Sequence, residues 1–247
     1  MDQDGLYKHW KNICAKQEDD FRVNALNKLV IRVLSKNDVV LDVGCGACGL
    51  TLYLLEKGFN VISIDTSDEM LSMGRALLSK HNVSSDSLHN VTISEFSAKN
   101  QNSFKQIVCL DVIEHIEDDA KAISALTSML RIGGHLVITV PAVPSLYGPK
   151  DVAVGHYRRY NKRMIEKLFN SSSCNIKTMR YWNFIGFPVT WFHLYILKRP
   201  VNESMRGENI RFDHRCLSVF LRFWFSKFEN RIIPPVGLTL LIIVEKK

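Results

Sequence analysis

The sequence predicts an α/β protein built on a doubly wound, mostly parallel sheet, and three observations carry that expectation. Short apolar, strand-like runs alternate with helix-like segments through the first two thirds of the 247 residues, the pattern of a parallel sheet with helices on both faces. A glycine-rich loop, Gly44-x-Gly46-x-x-Gly49, follows directly on the first strand-like run and opens a helix. The last apolar run, Gly237 to Val244, is too continuously hydrophobic for an edge facing water on both sides, so it belongs inside the sheet.

Taken in order, Phe21, Ala25, Leu26, Leu29, Val30, Val33 and Leu34 recur at helical spacing and predict a helix leading into the first strand, Val39 to Val43. Val61 to Ile64 is the second strand. Ser67 then caps a helix whose first residues, Asp68 and Glu69, place negative charge at the positive end of the helix dipole. Val91 to Ile93 is expected as a short third strand and Ile107 to Leu110 as the fourth. The following helix sets Ala122, Ile123, Leu126, Met129 and Leu130 on one face and stops at Gly133-Gly134. His135 to Val140 makes the fifth strand, and Pro141 and Pro144 force a loop. Asn161 caps a helix with Met164, Ile165, Leu168 and Phe169 inward, Ile176 to Tyr181 is the sixth strand, and Gly237 to Val244 the seventh.

The whole chain, 1–247, is expected to form a single domain, with insertions at 141–160 and 182–235 forming a cap over the substrate. The second insertion interleaves Trp182, Trp191 and Trp224 with Lys198, Arg199, Arg206, Arg211, Arg215 and Arg222, which suits either a self-packing lid or contact with a membrane surface. With 46% hydrophobic residues and 32 Lys+Arg against 25 Asp+Glu, a net charge of +7, the chain can bury a sizeable core and favours acidic partners. Met1 to Asp20 lacks the apolar core of a secretory leader, and Phe184 to Leu197, broken by Pro188 and His193, falls short of the ~20 residues of a membrane-spanning helix. A cytoplasmic protein is expected, in solution or at the inner face of the membrane. The six cysteines (14, 45, 48, 109, 174 and 216) lack the spacing of a disulfide framework and read as reduced thiols. Cys45 and Cys48 have no second pair with which to complete a zinc site, so no metal is expected.

The glycine spacing is shared by several nucleotide cofactor sites, and two carboxylates narrow the choice. Asp65 ends the second strand 21 positions after Gly44, where it can accept hydrogen bonds from ribose hydroxyls. Asp42 lies two positions before Gly44; a carboxylate there repels a pyrophosphate and favours the ammonium and sulfonium of S-adenosylmethionine, which weighs against a nicotinamide oxidoreductase. A local role for Asp42, capping loop amides, is the alternative. The successive segments LDVGCGACG, VISIDTSDEML, CLDVIEHIED and RIGGHLVITVP, covering Asp38 to Pro141, resemble in order and spacing the motifs of class I S-adenosylmethionine-dependent methyltransferases. That resemblance implies a Rossmann-like, seven-stranded sheet with an antiparallel last strand. It implies S-adenosylmethionine as cofactor, with Gly44, Cys45 and Gly46 against its methionine part, Asp65 on the ribose, and Thr66 and Met70 beside the adenine. Ser94, Glu95 and Phe96 match the segment that contacts the adenine. Asp111, Val112 and His115 match the segment that flanks the methionine and the target, and Arg22 is assigned to the cofactor as well.

Methyl transfer is an in-line displacement in which alignment supplies most of the rate, and a base is needed only for a protonated acceptor. His115 and His156, with Asp151, are the catalytic candidates, since an imidazole titrating near ~6.5 suits proton abstraction at neutral pH; each histidine has a purely structural reading beside it. Tyr147, Tyr157, Arg158, Arg159 and Tyr160 are the candidate substrate contacts, with the arginines suited to an anionic group unless Arg159 simply ties the insertion down. The stretch from Pro141 to Phe169 and the ending PPVGLTLL resemble a bacterial branch linked to cell-surface polysaccharide or lipid-linked sugars. Asp111, Glu114 and His115 also resemble a motif of ubiquinone-pathway O-methyltransferases, in which a divalent metal has a role. The expectation is transfer to an oxygen or nitrogen of a small acceptor, glycosylated, anionic or lipid-linked. The alternatives are a nucleic-acid methyltransferase, suggested by charge but without a visible recognition module, and a protein that holds the cofactor without catalysis.

Overall fold

The computed structural model describes residues 20–170, 172–196, 219 and 221–247. Helix α1 (Phe21–Val30), capped by Asp20, and a short 3-10 turn (Ile31–Val33) precede β1 (Val40–Val43). There follow α2 (Gly49–Glu56), β2 (Val61–Asp65), α3 (Asp68–Lys80), β3 (Leu88–Asn90), α4 (Ile93–Lys99) and β4 (Phe104–Leu110). A 3-10 turn (Ile113–His115) leads to α5 (Asp119–Met129), β5 (Leu130–Pro141), a 3-10 turn (Pro144–Leu146), α6 (Pro149–Ala153) and α7 (Lys162–Phe169). The chain continues through β6 (Cys174–Trp182), α8 (Gly186–Tyr195), a π-helical turn (Phe225–Glu229) and β7 (Thr239–Lys246).

The strands form one seven-stranded sheet in the order β3-β2-β1-β4-β5-β7-β6. β7 runs antiparallel to both β5 and β6, and the other pairings are parallel. The expected apolar last strand therefore lies inside the sheet, shielded on both edges. Period-two alternation divides the strands between two cores. Leu41, Val43, Ile107, Cys109, Leu136, Ile138, Leu240 and Ile242 pack with Ile123 and Leu126 of α5 and Ile165 and Phe169 of α7. On the opposite face Val40, Val61, Val108 and Val137 meet Val30 of α1, Leu54 of α2 and Phe59.

Most strand ends shift by a few residues from the expected ones, and two of the shifts have a clear local cause. The third strand is Leu88–Asn90, paired with Ser63–Asp65, because Thr92 and Glu95 form a capping box that makes Ile93 the start of a helix. Leu130 is the first residue of β5, and α5 stops at Met129. Gly133 and Gly134 lie within that strand: a Cβ on Gly134 would come 2.8 Å from the Arg131 carbonyl oxygen and 3.1 Å from that of Lys105, so only glycine allows β5 to cross β4 so closely. Residues 1–19, Lys198, Arg199, Arg206, Arg211, Arg215, Cys14 and Cys216 lie outside the described residues. No helix among the described residues is long and apolar enough to cross a membrane.

Candidate functional site

A cleft of about 1610 Å³ opens over the carboxyl ends of β1, β2 and β4, where the strand order reverses on either side of β1. It exceeds the ~300–1,000 Å³ that a single drug-sized ligand fills, so it has room for two.

One half is built from the glycine loop. Gly44 stands at φ +69°, and a Cβ there would lie 2.4 Å from Val112 Cγ2; Gly46 stands at φ +52°. The loop and the following turn are joined by Asp65, whose Oδ2 accepts from the Gly46 amide at 2.8 Å and whose Oδ1 accepts from the Ser67 amide at 2.9 Å. Ser67 in turn accepts from the Met70 amide at 3.2 Å and caps α3. Asp42 is buried; its Oδ2 accepts from the Thr51 hydroxyl at 2.7 Å, and Thr51 is 2.9 Å from the Ser63 hydroxyl. Burial pushes the Asp42 carboxyl up to about 7, with the Thr51 hydrogen bond opposing the rise and the charge of Asp65 adding to it. Its partner is a side chain of α2, so the amide-capping alternative is not what the structure shows. The Cys48 thiol donates to Cys45 Sγ at 4.0 Å with no disulfide between them, and Cys48 is packed where a Cβ on Gly74 would stand.

The other half comes from the segment after β4 and from the insertion after β5. Asp111, at φ +54°, accepts from the Thr139 hydroxyl at 3.0 Å and opens onto the cleft. Asp151 is 2% exposed and accepts from His156 Nδ1 at 2.9 Å, Arg159 Nε at 2.8 Å and the Gly148 amide at 3.1 Å. Burial alone would raise its pKa, but the bonds from His156 and Arg159 and the guanidinium charge prevail and hold it below the usual carboxylate range. Because Asp151 takes Nδ1, the other nitrogen of His156, Nε2, is the one left to act; it sits 4.0 Å from Glu114 Oε1. The ring of His115 lies edge-on to that of His156 at 4.7 Å, and burial, then the His156 charge, lowers its pKa. Glu114 is fully buried and neither carboxylate oxygen has a hydrogen-bond partner; burial, then Asp111, pushes its pKa well up. Glu114, His115 and His156 each place one donor atom within 4.8 Å of the others.

The cleft is lined by Arg22, Asp42, Gly44, Cys45, Gly46, Asp65, Thr66, Met70, Ser94, Asp111, Val112, His115, Asp151, His156, Tyr157 and Arg159 of the sequence-predicted set. The Arg22 guanidinium is itself held by Asp20 at 2.5 Å. Five expected residues lie elsewhere. Glu95 is committed to its capping box and Phe96 turns toward Phe104 and the core. Tyr160 is fully buried, donating to Asp119 Oδ2 at 2.9 Å, and Arg158 pairs with the same carboxylate at 2.8 Å. Tyr147 donates its hydroxyl to the His156 carbonyl at 2.8 Å and braces the loop from outside. Tyr160 bridges to Ala142 across the base of the insertion, which explains why it is core and its neighbour Tyr157 is not. Residues that sequence reasoning left out also line the cleft: Lys121 from α5, Lys150 from α6, Asn183, and Thr190 and Leu194 from α8. Thr51 and Ser63, beneath Asp42, carried no motif signal.

The chain matches a family model described as "Methyltransferase domain" over residues 17–196. Among curated proteins, the ubiquinone biosynthesis O-methyltransferase of Acinetobacter baumannii (strain AYE) is 28% identical over 109 residues, 44% of this chain and 46% of that protein. The match thus spans about half the length of the curated relative. Among solved structures, a SAM dependent methyltransferase from Archaeoglobus fulgidus superposes with a TM-score of 0.52 at 15% identity, covering 84% of this chain and 86% of its own. Phosphoethanolamine N-methyltransferase 2 of Haemonchus contortus, in complex with S-adenosyl-L-methionine, gives 0.56 at 16% identity, covering 90% of this chain and 52% of its own. Identities this low show a shared fold.

Proposed function

Because the chain belongs to the class I S-adenosylmethionine-dependent methyltransferase family, we propose that it methylates a hydroxyl oxygen of a small acceptor, with His156 as the base. The observation that carries the reading is the fixed His156–Asp151–Arg159 chain across the cleft from the glycine loop. S-adenosylmethionine supplies a methyl group already activated on a sulfonium and leaves as S-adenosylhomocysteine. Asp65 would accept from the ribose, Gly44 and Gly46 would give the methionine part close access to the backbone, and Asp42 and Asp111 would supply negative potential on that side. His156 would take the proton at Nε2 from the acceptor hydroxyl whose oxygen receives the methyl group. Asp151 holds the tautomer and stabilises the imidazolium that forms.

The electrostatics narrow the acceptor. Arg159 is spent on Asp151 and Arg158 on Asp119, so the anion clamp expected from these arginines is not formed around the reacting atom. A neutral hydroxyl suits that position, and any anionic portion of the acceptor would lie toward Lys121, which also lines the cleft. Calorimetric titration with S-adenosylmethionine, S-adenosylhomocysteine and NAD tests the cofactor half. We expect micromolar binding of the first two, abolished in Asp65→Ala; NAD binding without the others overturns the reading. For the other half, a panel of phenols, sugars and lipid-linked sugars is assayed for S-adenosylhomocysteine release. His156→Ala should bind S-adenosylmethionine normally and lose about 10²–10⁴-fold in transfer; full activity in that variant removes His156 as base.

A further inference from the structure

The roof of the cleft carries a surface that methyl transfer does not use. α8 lines the cleft with Thr190 and Leu194, while Val189, Trp191, Phe192, Tyr195 and Ile196 stand between 44% and 55% exposed. Trp191 and Tyr195 stack with ring centres 5.6 Å apart. The second helical run of the insertion adds exposed Phe223 and Phe228, and Ile233 follows at 77% exposure. The first run starts, and the second ends, at one junction: the Phe184 amide donates to Glu229 Oε1 at 3.0 Å, and Trp224 Nε1 donates to the same carboxylate. Glu229 is the one acidic residue among the described residues from Phe184 to Ile233, and it is fully buried. The exposed charges of this stretch are Arg222, Lys227 and Arg231. The large exposed side chains of these two runs are therefore aromatic, aliphatic and cationic, with no exposed carboxylate among the described residues.

We propose that this face docks on an anionic phospholipid bilayer, seating the roof of the cleft at the interface so that a membrane-dissolved acceptor reaches the site beneath α8. The chemistry matches that surface: Trp191 places an apolar body and a polar edge at headgroup depth, Tyr195 adds its ring while its hydroxyl donates to the Ser145 carbonyl at 2.8 Å, and lysine and arginine meet lipid phosphates while their stems lie on the acyl boundary. With no helix among the described residues long enough to cross, the contact lies in the plane of the interface. The docking half of this inference stands by itself; the route for the acceptor rests on the methyl transfer proposed above.

Sedimentation of the full chain with phosphatidylcholine vesicles, with and without phosphatidylglycerol, tests it. Two variants accompany the wild type: Trp191→Glu with Phe192→Glu, and Arg222→Glu with Lys227→Glu. We expect binding to the phosphatidylglycerol vesicles that weakens about ten-fold or more in each variant, and falls with salt, as a combined apolar and electrostatic contact requires. Calorimetric S-adenosylmethionine binding should be the same in all three proteins, which shows that the variants fold. Absence of vesicle binding by the wild type, or binding unaltered in both variants, overturns the proposal. So does concentration-dependent self-association that the apolar variant abolishes in a protein that ignores vesicles, since the face would then pair with a second copy. Cofactor binding without vesicle binding sinks the docking alone, and vesicle binding without cofactor binding sinks the methyl-transfer reading alone.

Discussion

Replacing Asp42 by asparagine should make the protein more stable and, at the same time, a poorer binder of S-adenosylmethionine. Asp42 is 3% exposed, and burial raises its pKa from 3.8 to about 7 against the opposing bond from Thr51. An acid whose folded pKa lies above its unfolded value holds its proton more tightly in the native state. Stability therefore falls as pH rises from the unfolded value toward the folded one, and the full penalty is present above about pH 7. At 1.36 kcal/mol per pKa unit, the shift from 3.8 to about 7 corresponds to about 4 kcal/mol. Asparagine has nearly the same volume, carries no charge, and its Oδ1 can still accept from Thr51. At pH 8 the variant should recover about 2–4 kcal/mol, a rise in Tm on the order of 5–15 °C for a domain of this size. Circular dichroism melts at pH 5 and pH 8 should show the gain shrinking at the lower pH, while calorimetry shows weaker S-adenosylmethionine binding. An Asp42→Asn protein that melts at or below the wild type at pH 8, or gains equally at both pH values, refutes the argument that a desolvated carboxylate is retained there for its ligand.

Gly44→Ala should weaken S-adenosylmethionine binding at least ten-fold in calorimetry. It should also lower stability by about 2–4 kcal/mol, from left-handed strain and displacement of Val112. Adding Val112→Ala should recover the steric part and leave the strain, and a second substitution with no effect would show that the 2.4 Å approach is not the cause. Tyr160→Phe should lose about 1–2 kcal/mol in urea unfolding, because Asp119 loses a donor, with binding and transfer kinetics unchanged. A drop in transfer at wild-type stability would return Tyr160 to the substrate.

Where one local signal and the tertiary packing agree, the sequence is readable. Ser67 and Asn161 cap helices as their spacing implies, and the apolar last strand could only be stable between two neighbours. The third strand was misplaced because Val91 and Ile93 look like a strand by composition, although the Thr92-x-x-Glu95 capping box was there to be read. The cofactor half of the cleft is local, a loop and the turn after β2 facing each other across adjacent parallel strands, so a motif captures it. The half lined by Asp151, His156 and Arg159 depends on a fold-back that no spacing encodes. Asp151, His156 and Arg159 converge from an irregular segment, and Glu114 is distinguished only by what surrounds it. The run Tyr157-Arg158-Arg159-Tyr160 shows the limit most clearly: four similar neighbours point to the cleft, to Asp119, to Asp151 and into the core.

The clasp at Glu229 and Asn230 has a consequence for how such a chain can diversify. Glu229 receives the Phe184 amide, Asn230 receives Trp182 Nε1 at 3.0 Å and donates to the Ala25 carbonyl at 2.7 Å, and Arg180 donates to the Glu229 carbonyl. Departure and return of the chain around the insertion are thus riveted to β6 and α1 at one point. Exposed side chains on α8 and on the π-helical turn can therefore change character without loosening the sheet or the glycine loop, because the clasp that holds both runs lies beneath them. The glycine loop and the insertion are thus anchored by separate sets of bonds, the one through Asp65 and the other through Glu229 and Asn230, so one can vary while the other keeps its geometry.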